Sequence, residues 1–181
     1  MMTRHVIGVL LAIALAAGLQ AREFLTEKEI ELIQDAQEID KRTRVYLDAA
    51  ELRLKAADER LAGKEPEVGD PLEFFTAEDL IDAYCRIIDS VMHNLDETYR
   101  TSRKRIADPE KIRRALKALK GSAERNESEL EILKRLAEEK QKEELWRLVN
   151  KAIEMTQGAR EGAEYVLSQK LASPSSKKSP R

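Results

Sequence analysis

Cys85 and His93 are the residues of this chain that could in principle support nucleophilic catalysis. A cysteine becomes a strong nucleophile when a neighbouring base takes its proton. The two residues stand eight positions apart, which on a helix is about 12 Å along the axis and beyond hydrogen-bond reach. They could meet only from different subunits, so the spacing predicts no catalytic residue and no enzyme activity. An enzyme would need a pocket in which one of them meets carboxylates from another helix.

The sequence also contains no motif for binding a metal or a cofactor. Di-iron helical bundles use Glu-x-x-His pairs on facing helices, and no glutamate stands three residues before His93. Zinc sites built from cysteine and histidine need more ligands than this chain has, because Cys85 is the only cysteine and the second histidine is His5. Phosphate and dinucleotide loops need clustered glycines, whereas the seven glycines here are scattered. We predict no metal ligand and no cofactor.

A cluster of basic residues is the candidate binding site. Between residues 100 and 120, nine basic residues stand against only two acidic ones. Basic residues at the start of a helix oppose its dipole, so a helix-end effect alone does not explain the cluster. An anionic partner would fit: lipid headgroups, polysaccharide phosphate or an acidic protein surface. The candidate residues are Arg100, Arg103, Lys104, Arg105, Lys111, Arg113, Arg114, Lys117 and Lys120.

The same charges have a second interpretation within the fold. Residues 22–40 carry seven acidic residues and two basic ones. In a helical bundle this acidic segment would rest beside the basic turn, where exposed pairs contribute about 0–1 kcal/mol each. Nucleic acid is not expected as a partner, because no aromatic residues for base stacking interleave with the basic ones.

Four amphipathic segments must position these residues. Apolar residues recur at helical spacing, and charged residues make up 36% of the chain against 4% aromatic. The pattern predicts an all-α, antiparallel up-down-up-down four-helix bundle over residues 22–171. Its helices are expected at about 27–62, 76–105, 109–138 and 142–170. The start and stop signals are a Thr26–Glu29 capping box, Gly63, Thr76 and Asp108-Pro109.

Two features of the last two helices leave alternatives open. A polar run at 138–144 shifts the apolar phase and predicts a turn around Glu139 to Gln141. The alternative is one continuous helix of about 60 residues, near 90 Å long. Small residues at Gly158, Ala159, Gly162 and Ala163 predict a close helix contact, either with helix one of the same chain or between subunits.

The N-terminus has the pattern of a secretory signal peptide. Arg4 and His5 precede an apolar run from Val6 to Leu19, and the chain becomes charged after Ala21. The run is about 14 residues, shorter than the roughly 20 of a membrane-spanning helix. We predict residues 1–21 as the signal peptide, cleaved after Ala21 or alternatively within 16–18; an uncleaved anchor is the other possibility. Residues 172–181 are predicted to form a disordered basic tail.

These patterns predict an exported protein, periplasmic or secreted, with no membrane-spanning segment after cleavage. Its expected role is that of a binding or scaffolding module at the bacterial cell envelope, with a protein or an anionic envelope component as partner. The alternative is a ligand- or metal-binding bundle of ferritin-like or phosphate-regulator-like shape. A homo-oligomer is compatible with the pattern, and Cys85 is expected to be buried as a small apolar residue.

Overall fold

The computed structural model describes residues 24–102 and 108–169, and in these residues it contains five helices and no strand. The prediction of an all-α fold is confirmed. The helices are α1 (Glu27–Asp35), α2 (Ile39–Leu61), α3 (Ala77–Ser102), α4 (Pro109–Glu139) and α5 (Glu143–Ser168). The predicted signal peptide, the candidate residues Arg103, Lys104 and Arg105, and the predicted tail lie outside the described residues. No helix within these two ranges is long and apolar enough to cross a membrane.

The predicted single helix over 27–62 is wrong, because the chain breaks between Asp35 and Ile39. Ala36 has φ −77° and ψ 82°, outside the helical region. Its carbonyl oxygen accepts a hydrogen bond from Nε of Arg42 at 3.1 Å, which satisfies one of the groups that a helix end leaves open. No glycine or proline marks this break, so local sequence gives no signal for it.

A buried ion pair explains why α1 folds back along α2. Arg53 is 1% exposed, and its two terminal nitrogens donate to the two carboxylate oxygens of Glu29. Its Nη2 also donates to the carbonyl oxygen of Phe24 at 2.9 Å. In one continuous helix the two charged residues would lie about 36 Å apart. The break therefore brings Glu29 to a guanidinium that would otherwise be buried without a counter-charge.

The local start and stop signals are confirmed. Thr26 and Glu29 form the complete capping box of α1. The Thr76 hydroxyl accepts from the backbone N–H of Asp79 at 3.1 Å, and Gly63 has φ 78°, the left-handed stop after α2. Asp108 caps α4, with Pro109 as its first residue.

The alternative of one long C-terminal helix is wrong. α4 ends at Glu139 and α5 begins at Glu143, with Gln141 at φ 55° between them. This left-handed residue turns the chain so that α5 packs back along α4.

In a simple up-down bundle, helices that follow one another in the chain are neighbours. This protein has a different set of neighbouring helices. Within the described residues, α2 packs on α3 and α4, and α5 packs on the same two helices, while α3 and α4 touch only slightly. Two ion pairs indicate the relative direction of α2 and α4. Glu38–Lys111 and Glu51–Arg125 follow the same order along both helices. These two helices therefore run in parallel, side by side. The predicted four-helix up-down bundle is not confirmed in its simple form.

A chain of hydrogen bonds crosses the core between the long helices. Thr156 donates to the carbonyl oxygen of Ala152 at 2.7 Å, so the 2.7 Å contact with Tyr84 has the tyrosine as donor. Nδ2 of Asn126 lies 3.4 Å from the Tyr84 oxygen and 3.4 Å from Oγ of Ser122, which donates to Glu51 at 2.9 Å. The chain thus joins α5, α3, α4 and α2. Burial raises the pKa of Tyr84 to about 12, so it remains a neutral donor.

We expect Glu29→Gln to lower the free energy of unfolding by about 3 to 5 kcal/mol, because Arg53 would stay buried without a counter-charge. The double variant Glu29→Gln/Arg53→Met should have a smaller decrease in the free energy of unfolding, since it buries no uncompensated charge. Urea unfolding followed by circular dichroism measures both.

The matched control is Glu78→Gln, which removes an exposed ion pair with Lys142 and should cost less than about 1 kcal/mol. If Glu29→Gln costs no more than this control, the buried pair does not stabilise the fold.

Candidate functional site

Two of the predicted basic residues at the start of α4 are engaged by the start of α2. Nζ of Lys111 donates to Glu38 at 2.8 Å, and Nε of Arg114 donates to Asp40 at 2.7 Å. The hydrogen bond to Lys111 lowers the pKa of Glu38, and the same bond raises the pKa of Lys111. These two cations therefore act within the fold, as the internal interpretation of the charge pattern expected.

The remaining candidates divide into paired and unpaired residues. Lys120 contacts Glu164 of α5 at 2.9 Å, and Arg100 contacts Asp96 one turn earlier at 3.0 Å. Arg113 and Lys117 are exposed, and the structure shows no ion pair for them among the described residues. These two side chains on the outer face of α4 are the described part of the candidate patch that remains available to an anionic partner.

Cys85 is buried in the core of α3, as the sequence predicted. It is 3% exposed, and burial raises the pKa of its thiol to about 11. The thiolate form needed for nucleophilic attack is therefore disfavoured near neutral pH. His93 lies on the exposed surface of the same helix. In the ranges that the structure describes, no group of three histidine, cysteine or carboxylate side chains could hold a metal ion.

The small residues of α5, Gly158, Ala159, Gly162 and Ala163, do not pack against the helix that the sequence predicted as their neighbour. The expected contact with the first predicted helix is wrong, because α5 packs against α3 and α4, and among the described residues no Cα atom of α5 lies within 8 Å of a Cα atom of α2. A Cβ atom added at Gly158 or Gly162 would meet no atom within 4 Å. The glycines therefore do not serve a close helix approach; they leave space.

That space is an apolar groove between the C-terminal halves of α3 and α5, with α4 as its floor. Its volume is about 200 Å³, and Asp96 is the only charged side chain among its lining residues. Met92 and Leu95 come from α3, Ile112 and Leu116 from α4, and Gly162 from α5. Such a lining can hold an apolar group by dispersion and burial but offers no acid–base pair. We call it the glycine groove.

A second groove runs between α2 and α4 and has a different character. Its volume is about 550 Å³, and both of its walls carry carboxylates. Burial raises the pKa of Asp48 and of Glu129, and the nearby charge of Glu51 raises both further. Leu52 and Ile132 line the same groove. We call it the acidic groove. It could not be predicted from the sequence, because its charges come from two helices that only the packing brings together.

We expect Gly158→Ala and Gly162→Ala each to raise the free energy of unfolding by about 1 kcal/mol. Alanine is the better helix former by this amount, and its methyl group would enter empty space. Urea unfolding of each variant measures the gain. Gly121→Ala on α4 is the comparison, since its Cβ would meet Nη1 of Arg125 at an ordinary 3.7 Å. A loss of stability in the α5 variants would show that those glycines are needed by the fold.

Comparison with protein-family models, curated proteins and solved structures found no match.

Proposed function

We propose that this protein is an exported, noncatalytic helical module that binds a partner at the bacterial cell envelope. The observation that carries the proposal is the glycine groove. It offers solvent-open apolar surface in the middle of three packed helices, where a soluble chain would normally fill the space. An apolar side chain or the apolar part of an envelope molecule is the occupant that its lining favours.

The position of the two glycines in the groove lining supports this proposal. Each glycine inside a helix is less favourable than alanine by about 1 kcal/mol. Since Cβ atoms at Gly158 and Gly162 would touch nothing, no contact within the described chain requires their absence. Natural proteins commonly keep residues that lower stability slightly, so the support comes from the fact that both glycines belong to the lining of one groove. The groove is therefore interpreted as space kept for a molecule outside this chain.

The proposed scaffold is an up-down-up-down arrangement of the four long helices, with α3 and α4 on the diagonal. The pairs Glu127–Arg160 and Lys120–Glu164 run in opposite order along α4 and α5, which supports antiparallel packing of these two helices. Ion pairs and the buried hydrogen-bond chain would hold the groove walls in place. A rigid scaffold suits recognition, because little ordering entropy is lost on binding.

The alternative of a bundle that holds a small free ligand rests on the same groove. In this alternative the occupant is a free apolar molecule. In the main proposal it is an apolar group that belongs to a larger envelope partner. The described part of the chain favours an apolar occupant over a metal ion, because the groove lining has only one carboxylate, that of Asp96.

Binding of the apolar dye N-phenyl-1-naphthylamine tests the groove. We expect saturable binding of one dye per chain to the wild type, and binding weaker by about tenfold in Gly162→Leu, whose side chain would fill the groove. Gly121→Leu is the matched control, with the same added side chain on another helix. Fluorescence titration measures both, with circular dichroism to verify the fold. Equal binding in all three proteins would contradict a site in this groove.

The proposed export is tested by the intact mass of the protein isolated from an envelope fraction of the cells that make it. We expect a chain that begins at Arg22, because the apolar run and the change to charged residues place the cut after Ala21. A full-length chain recovered from the cytoplasm would overturn the envelope location while leaving the groove experiment unaffected. A bound species that adds reproducible mass would identify the occupant's chemical class.

A further inference from the structure

We propose that the acidic groove between α2 and α4 is a docking surface for a cationic amphipathic helix of a partner protein. This surface is distinct from the glycine groove, which lies between α3, α4 and α5. The inference rests on three features that meet in one place: exposed large apolar side chains, carboxylates on both walls, and two parallel helices that form the walls of the groove.

Exposed apolar side chains provide the contact surface. Leu52 is 46% exposed and Ile132 is 47% exposed, one on each wall of the groove. Leu54 and Leu133 form the buried floor between them, at 1% and 2% exposure. A helix with apolar residues every three or four positions can place them along such a channel. Burying the two exposed side chains would remove apolar surface from water on both helices.

The charges select a cationic partner. Asp48, Glu51, Asp58 and Glu129 line the groove, and Lys55 is the only basic residue in the lining. Arg125 engages Glu51 at 2.6 Å, which still leaves an excess of negative charge. Lysine or arginine residues flanking the apolar stripe of a partner helix would complement this excess.

Burial, and after it repulsion between carboxylates, raises the pKa of two acidic residues in this groove. The raised pKa of Asp48 reflects burial and Glu51, with Arg44 and Arg125 acting in the opposite direction. Glu129 has a raised pKa from burial, Glu51 and Asp58, with Arg125 again opposing. Ionised carboxylates whose pKa is raised destabilise the fold at neutral pH. A cationic partner would relieve this repulsion, so part of the binding free energy would come from charges already present in the groove.

Other occupants fit the groove less well. A membrane surface with anionic headgroups would be repelled by the same carboxylates. A metal ion would need several ligands at one point, and in residues 24–102 and 108–169 no such group of three exists. A basic peptide without apolar residues would leave Leu52 and Ile132 uncovered. Only a segment that is both cationic and apolar matches all the observed surfaces.

The test uses a designed helical peptide of leucine and lysine in which leucine recurs every three or four residues. We expect one peptide to bind per chain, more weakly as salt is raised. The variants Asp48→Asn/Glu129→Gln and Leu52→Ala/Ile132→Ala should each weaken binding by about tenfold. Isothermal titration calorimetry measures the affinity. The first variant should unfold at a urea concentration no lower than the wild type, because it removes carboxylates that repel in the folded state.

The matched control is Glu131→Gln/Glu154→Gln, which removes the same charge at exposed positions outside the groove lining. It should bind the peptide like the wild type. A peptide of the same charge with serine in place of leucine should bind poorly. If the control variant weakens binding as much as the groove variants, or if the serine peptide binds equally well, the attraction is general charge and the proposal is overturned. Either result is independent of dye binding in the glycine groove.

Discussion

The buried hydrogen-bond chain from Thr156 through Tyr84, Asn126 and Ser122 to Glu51 constrains the rest of the structure. Polar groups removed from water without partners cost several kcal/mol each. Apolar seams of leucine, isoleucine and alanine specify which faces meet, whereas these hydrogen bonds form only when the four helices share one register. That register places α4 beside α2 and α5 beside α3, and both grooves follow from it.

Charge in this protein acts mainly within the chain. At the start of α4, Lys111 and Arg114 contact carboxylates of α2, so that the basic cluster read from sequence becomes part of a helix–helix contact. Further along the same helix pair, the carboxylates outnumber the cations and repel one another. One interface therefore has a neutralised end and an acidic end. The neutralised end supports the fold, whereas the acidic end has the charge for a partner.

The two grooves differ in what they could recognise. The glycine groove is small and nearly free of charge, and it suits an apolar group that enters between helices. The acidic groove is larger and lies open along two parallel helices, and it suits an elongated partner that brings its own positive charge. A module with both could hold two occupants at once, since α4 contributes residues 112–119 to one groove and residues 129–133 to the other. Two separate grooves are what the proposed scaffolding role would use.

The sequence by itself determined the features that depend on neighbouring residues. The capping box at Thr26, the stop at Gly63 and the start at Asp108 arise from local backbone chemistry. The apolar period defined the helices, and its phase shift over residues 138–144 defined the turn near Gln141. Tertiary structure decided what depends on contacts between distant residues. The break before Ile39 has no local signal. It is stabilised by the ion pair between Glu29 and buried Arg53, which are 24 residues apart in the chain. The slight contact between α3 and α4 and the open space at Gly162 depend on which seams share one core. A helical period specifies a face without specifying its neighbour.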